Sequence, residues 1–434
     1  MIIKPAKRIH GSIRLPGDKS ISHRAAMIAA IADGVSRITN YSTSDDCATT
    51  LSCLRELGVQ IDRSGAEILI NGVGKDGLRA PRKELDCGNS GTTMRLLAGI
   101  LAGQGFTSTL TGDESLCSRP MQRVVEPLRM MGALVSSSDG RAPLTIQGRD
   151  SLKGIDYELL IASAQVKSCI MLAALNAKGK TIVTENEVTR DHTERMLKWF
   201  GAPIATGNKA DHARFATLTG PANLSARDVS IPGDVSSAAY FIAAAVLLPQ
   251  SSLEVTNVGV NPTRIPFLSR LGALGSIEVT DTRDEANEPV GKIRIRELRF
   301  LEELESPMKI AGSQIPQLVD ELPLLAVVGS RTRSGIEIRD AKELRAKESD
   351  RIAATVENLR AMGAEVEEFD DGLRVSGRTR LRGARIDPRG DHRIAMAFSV
   401  AALIAEGESE IKGADCVGVS FPEFFDLLEA VIER

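Results

Sequence analysis

Apolar and polar positions fall into long blocks along the chain. Residues 17–34 read GDKSISHRAAMIAAIADG, with Lys19, Ser20, Ser22, His23 and Arg24 directly ahead of the run AAMIAAIA. A helix that is apolar nearly all round belongs inside a fold rather than on its surface. The same arrangement recurs at NSGTTMRLLAGILAG from Asn89 and SAQVKSCIMLAALNAKG from Ser163. It recurs again at DVSSAAYFIAAAVLLPQ from Asp234, DELPLLAVVG from Asp320 and DHRIAMAFSVAALIAEG from Asp391. Counted from Lys19, the intervals are 70, 74, 71, 86 and 71 residues.

A second pattern follows each head after 25 to 30 residues: SDDCATTLSCLRELGVQI, RPMQRVVEPLRMMGALV, TRDHTERMLKWFGAPI, NPTRIPFLSRLGALGSIEV, KESDRIAATVENLRAMGAEVE and SFPEFFDLLEAVIER. Leu51, Leu54 and Leu57 leave Arg55 and Glu56 outside, so this helix is amphipathic. The first five end in a glycine turn of the kind that stops a helix before a strand. Segments such as SRITNYS and SLEVTNVG are rich in β-branched residues and read as strands. The unit is therefore βαβαββ, about 70 residues long and repeated six times. Six units in 434 residues divide into two domains of three. A plain solenoid fits less well, because its repeats would keep similar polar residues and these heads vary.

The varied heads point to anion binding. Amides at a helix N-terminus lack partners within the helix and the dipole is positive there. Lys19, Ser20 and Arg24 mark the first head, Asn89, Thr92 and Arg95 the second, Ser163 and Gln165 the third, and His392 and Arg393 the sixth. Arg119, Lys347 and Arg351 add cations beside the second helices, and guanidinium suits phosphate or carboxylate. Asp320 and Glu348 stand among these cations as candidate proton carriers. On spacing alone Asp320 also reads as an N-cap, and Glu348 with Arg351 as a surface helix pair. Asp18, Asp234 and Asp391 read as caps, and His23 and His192 as structural.

Composition narrows the picture. Net charge is −3, 42% of residues are hydrophobic and 3% aromatic, without the basic and aromatic interleaving of a nucleic-acid binder. No apolar run has the length of a membrane span or the setting of a signal peptide, so a cytoplasmic protein is the simplest expectation. The six cysteines form no C-x-x-C pair and the five histidines lack ligand spacing, so no metal is expected. Cys117 has no partnered histidine and reads as inert. No G-K-[ST] loop suggests nucleotide binding. The residues thus describe a two-domain enzyme for small substrates with several anionic groups, working by acid–base chemistry without a cofactor.

GDKSISHR, NSGTTMR, SRPMQRVVEPLRMMGA, SAQVKS, VDELPLLA, KESDR and GDHRIAMAF, in this order, resemble the EPSP synthase (3-phosphoshikimate 1-carboxyvinyltransferase) family. The resemblance runs from about residue 10 to 425 and covers all six units. It implies an α+β fold, two inside-out α/β barrels of three repeats each, with the active site in the cleft between them. One domain would hold residues 1–18 and 233–434, the other 19–232, with hinge crossings near 16–19 and 231–234. The implied reaction moves the enolpyruvyl group of phosphoenolpyruvate to the 5-hydroxyl of shikimate 3-phosphate by addition and elimination. Together the substrates carry roughly five to six negative charges, which calls for many fixed cations.

By the same resemblance, Lys19, Ser20, Arg24, Ser163, Ala164, Gln165, Arg190, Asp320 and Lys347 would bind shikimate 3-phosphate. Lys19, Asn89, Gly91, Arg119, Gln165, Arg351 and Arg393 would bind phosphoenolpyruvate. Asp320 would take the hydroxyl proton, and Glu348, helped by Lys19, would protonate the methylene carbon. The resemblance implies no cofactor, no metal, no nucleic acid and no membrane, and a monomer is the default. Ala164 stands where many members have serine, as in the branch with glyphosate-tolerant enzymes, while Gly91 keeps the small residue that admits this inhibitor. Val419-Ser420-Phe421-Pro422 lacks the lysine that some members carry there. The nearest rival is UDP-N-acetylglucosamine enolpyruvyl transferase, which typically has asparagine after its early lysine, where this chain has Ser20. A non-catalytic anion-binding scaffold is the rival of another class; it would need caps, but not five cations at the heads.

Overall fold

The computed structural model of the chain describes residues 1–210, 213–298 and 306–434. Contacts divide them into two compact units. One comprises Met1–Pro16, Gly233–Arg283 and Pro289–Arg434; the other comprises Gly17–Pro232 and Asp284–Glu288. The sequence reading puts residues 284–288 with the first unit. They group with the second, where Glu288 Oε1 lies 2.7 Å from His192 Nδ1 and both side chains are buried.

In the unit of Gly17–Pro232, two of three sheets have one parallel and two antiparallel pairings, and the third, around strand Ala177–Glu185, has two of each. The middle repeat shows the plan. Strand Leu85–Asp86 leads into helix Gly91–Ala102 and strand Thr107–Thr111. Helix Gln122–Met130 and the hairpin Leu134–Ser138, Arg141–Gln147 follow, and a short helix, Glu114–Ser118, precedes the second of these helices. The first two strands pair parallel, and the hairpin adds antiparallel through Arg141–Gln147. The third repeat has helices Ala164–Ala174 and His192–Trp199 in the same places. The first repeat, with helices Lys19–Ala30 and Asp45–Glu56, lacks a leading strand of its own. Val229–Ser230 supplies it from the far end of the unit, parallel to Asp33–Thr39.

The other unit repeats the plan around helices Val235–Leu247, Leu322–Arg331 and His392–Leu403. Its first repeat begins at Arg8–Arg14, which pairs parallel with Ser252–Gly259. Its third repeat ends with helix Phe424–Val431, and the N-terminal strand Ile2–Ile3 stands in for the missing hairpin, antiparallel to Ser409–Ile411. Val229–Ser230 thus closes one unit and the N-terminal strand of the chain the other, a device that a linear reading of six copies does not reveal.

The apolar helices are buried as their composition dictates: all thirteen residues of Val235–Leu247 are inside. Small residues let them approach closely. A Cβ at Gly99 would lie 2.2 Å from the carbonyl oxygen of Cys169, so helices Gly91–Ala102 and Ala164–Ala174 meet backbone to backbone there. The amphipathic helices end as expected in four of the five cases, with Gly58, Gly132, Gly201 and Gly363 at positive φ. Gly272 is the exception and stays inside helix Pro266–Gly272.

Candidate active site

Five of the six apolar helices start at a side-chain cap. Asp18, Ser90, Ser163, Asp234 and Asp391 each accept from amides of their own first turn. Capping leaves the remaining N-terminal amides and the positive end of the dipole facing outward. The fifth helix differs. It starts at Leu322 with Pro323 in its first turn, and Glu321 at the N-cap position makes no side-chain cap bond. Asp320 lies one residue earlier, so it is not the cap that spacing suggested, and its carboxylate is turned to other partners.

In the unit of Gly17–Pro232, the heads gather cations on hydroxyl and carbonyl groups. Arg24 is buried, with 4% of its surface exposed. Its Nε donates to Thr193 Oγ1 at 2.7 Å, Nη1 to the carbonyl of Ser20 at 2.8 Å and Nη2 to Ser168 Oγ at 2.9 Å. Burial pulls this guanidinium down to about 10, against the opposing influence of Glu194 and Asp18, and the charge of half-buried Arg190 pushes the same way as burial. Lys19 Nζ lies 2.8 Å from Asp46 Oδ2. His23 is buried, and Nδ1 meets Thr50 Oγ1 at 2.7 Å; burial first, then Lys19 and Arg24, pushes it well below the usual histidine value. Both histidines that read as structural are therefore fixed side chains of the interior.

The second head holds two further arginines. Arg119 Nη2 donates to Asn89 Oδ1 at 2.7 Å and to Ser115 Oγ at 3.1 Å, and Asn89 in turn donates to Asp113. Arg95 Nη1 donates to Gln165 Oε1 at 2.6 Å, and Gln165 Nε2 donates to Thr92 Oγ1 at 3.0 Å. Gly91 sits between the two arginines: a Cβ there would lie 2.7 Å from Arg95 Nη1 and 3.5 Å from Arg119 Nη1. Gln165 is thereby tied to the second head, while Ser163 caps its own helix and the carbonyl of Ala164 accepts from Ser168 Oγ at 2.6 Å. Cys117 turns its thiol to the carbonyl of Gly112, 3.3 Å away, rather than to any histidine.

In the other unit, cations and carboxylates are interleaved. Arg351 is almost fully buried; Nε and Nη2 donate to Asp391 at 2.8 and 3.3 Å, and Nη2 also donates to Glu348 Oε2 at 2.6 Å. Asp320 Oδ1 lies 3.5 Å from Arg351 Nη1, and its Oδ2 lies 3.5 Å from Arg393 Nη2. Burial opposes the charge on Arg351, but Asp391, Glu348 and Asp320 outweigh it and raise the guanidinium above its ordinary value. Arg393 is raised in the same way, against burial, by Asp320, Tyr240 and Glu321. Glu348 and Arg351 are therefore no surface pair. Lys347 is half-buried and meets Glu343 at 3.4 Å.

The structure adds residues that the sequence reading passed over. Asp391 is a cap, but it is also the main partner of Arg351. Asp46 holds Lys19. Lys167, with 1% of its side chain exposed, lies 2.9 Å from Glu185 and 2.7 Å from Glu194. Its signal in the sequence was a lone lysine inside the apolar run VKSCIML. Among the described residues no group of three or more His, Cys, Asp or Glu could hold a metal ion, and no helix is long and apolar enough to cross a membrane.

Comparisons with known proteins identify the family and its fold. The family model for EPSP synthase (3-phosphoshikimate 1-carboxyvinyltransferase) matches residues 3–428. The 3-phosphoshikimate 1-carboxyvinyltransferase of Koribacter versatilis is 50% identical over 434 residues, covering 100% of this chain and 99% of the relative. That of Geobacter sp. (strain M21) is 46% identical over 435 residues, covering 100% and 99%. The solved EPSP synthase of Acinetobacter baumannii superposes with a TM-score of 0.85 at 38% identity, covering 99% of this chain and 97% of that one. With both units built from three βαβαββ repeats and the motifs present in order, the chain belongs to the EPSP synthase family.

Proposed function

We propose that the chain transfers the enolpyruvyl group of phosphoenolpyruvate to the 5-hydroxyl of shikimate 3-phosphate, and that both clusters serve this one reaction. The observation that carries this reading is a difference between the clusters. Arg24 is a buried cation whose hydrogen-bond partners among the described residues are two hydroxyls and a carbonyl. Such a group gains by binding an anion. Arg351, by contrast, is surrounded by carboxylates. The first environment favours an anionic group, and the second holds proton-carrying carboxylates beside the arginines that meet phosphoenolpyruvate.

Ser20, Arg24, Ser163, Gln165 and Arg190 bind shikimate 3-phosphate, aided by Lys347 and the backbone at Ala164. Lys19, Asn89, Gly91, Arg119, Gln165, Arg351 and Arg393 bind phosphoenolpyruvate. The 5-hydroxyl attacks C2 of the enol while Asp320 takes its proton. Glu348, assisted by Lys19, delivers a proton to C3, which becomes a methyl group. The C2–oxygen bond to phosphate then breaks, C3 returns a proton to Glu348, and the proton held by Asp320 leaves with phosphate. Arg351 keeps the two carboxylates at fixed places on one guanidinium, which is positioning of the kind general acid–base catalysis needs. A monomeric cytoplasmic enzyme, with glyphosate competing at the Gly91 side, belongs to the same proposal.

The test follows from the transient methyl group. In D2O the C3 methylene of the product should acquire deuterium, and Glu348→Gln should suppress that incorporation along with turnover. Product formed at the normal rate without deuterium, or Glu348→Gln with undiminished incorporation, overturns the assignment.

A further inference from the structure

Ser168 and Thr193 occur in no motif role assigned above, yet they complete the seat of Arg24. Thr193 Oγ1 and Ser168 Oγ are 2.6 Å apart, and Ser168 Oγ lies 2.6 Å from the carbonyl of Ala164. Each hydroxyl has one proton. A carbonyl only accepts, so the Ser168 proton goes to Ala164, and the Thr193 proton goes to Ser168. Both hydroxyls then present lone pairs to the guanidinium, at 2.7 and 2.9 Å. The direction of the whole chain is fixed by one backbone carbonyl.

The turns that carry these hydroxyls are clamped together one residue further along. Lys167 precedes Ser168, Glu194 follows Thr193, and their 2.7 Å ion pair is buried on both sides. Glu185 completes the clamp at 2.9 Å from Lys167 and also accepts from the hydroxyl of Thr189 at 2.5 Å. Helix Ala164–Ala174 and helix His192–Trp199 are thereby locked where both hydroxyls meet Arg24. With Nε–H and one proton on each terminal nitrogen engaged, one N–H on each terminal nitrogen of Arg24 has no partner among the described residues and suits an oxyanion.

We propose that Ser168 and Thr193 are positioning residues for Arg24, setting the orientation of its guanidinium toward the anionic acceptor substrate. This rests on the reading that Arg24 binds shikimate 3-phosphate. The experiment is calorimetric titration of shikimate 3-phosphate into the wild type, Thr193→Val, Thr193→Ser, Ser168→Ala, Arg24→Met and the Arg24→Met/Thr193→Val double variant, with melting temperatures alongside. Thr193→Val and Ser168→Ala should each weaken binding about tenfold, the worth of one hydrogen bond to a charged group. Thr193→Ser should restore wild-type affinity, and KM for phosphoenolpyruvate should stay within twofold. In the Arg24→Met background, Thr193→Val should add nothing. Loss of affinity in Arg24→Met with none in Thr193→Val and Ser168→Ala overturns the positioning role alone. An additive effect in the double variant does the same. Unchanged affinity in Arg24→Met overturns the reading beneath it.

Discussion

Asp391 caps the sixth apolar helix and holds Arg351 with the same carboxylate: Oδ1 accepts from the Arg393 amide at 2.9 Å, and Oδ2 accepts from Arg351 Nε at 2.8 Å. The carboxylate thus ties a helix start to the guanidinium that meets Asp320 and Glu348. Asp391→Asn keeps a capping oxygen but removes the charge. Arg351 is then drawn toward Glu348 and Asp320, and both lose freedom to exchange protons. We expect kcat to fall at least about tenfold while far-ultraviolet circular dichroism keeps its native form. A kcat equal to wild type would remove Asp391 from the account.

Asp320 is placed by exclusion as well as by contact. Because the helix behind it starts at Leu322, its carboxylate faces Arg351 and Arg393 rather than its own amides. Asp320→Ala should lower kcat by about 10² to 10⁴ with little change in the dissociation constant of phosphoenolpyruvate. Steady-state rates and equilibrium titration on the same preparation check both halves.

Lys167 makes a stability prediction. Its ammonium is held charged, against burial, by Glu194 and Glu185. Lys167→Met leaves two carboxylates buried side by side, and loss of one partner from a buried ion pair costs about 3–5 kcal/mol. Chemical denaturation at neutral pH should show that loss. Lys167→Met/Glu194→Gln should recover part of it, because one stranded charge is then gone. No recovery would point to packing rather than charge.

His23 sets a pH limit. Burial, with Lys19 and Arg24 nearby, keeps it neutral in the folded chain well below the usual value. Once the pH drops through about 6.5, the unfolded chain binds a proton that the folded chain refuses, so stability is lost toward acid. The slope from this one group reaches about 1.4 kcal/mol per pH unit. His23→Gln should flatten the profile between pH 6.5 and 5, as read from denaturant midpoints.

The repeats and the cations were legible because both leave local signals. Six all-apolar helices behind polar heads, and glycine at four of the turns that follow the amphipathic helices, are patterns within a short window. Partners distant in sequence were not legible. Glu185 and Glu194 lie 18 and 27 residues beyond Lys167, and Glu288 lies 96 beyond His192, with nothing local to link them. Asp391 was legible only in its local role as a cap, because its second partner, Arg351, is 40 residues away. Asp320 misled for the opposite reason: Pro323 and the turn at Glu321 delay the helix, so a residue at cap spacing is left ahead of it.

The most direct test of the whole account is phosphate release by the purified chain with shikimate 3-phosphate and phosphoenolpyruvate, singly and together, then repeated with glyphosate. Release that requires both substrates, and an inhibition curve that reports how Gly91 and Ala164 combine, is the predicted result. No release with shikimate 3-phosphate, with release when UDP-N-acetylglucosamine is the acceptor, would contradict it.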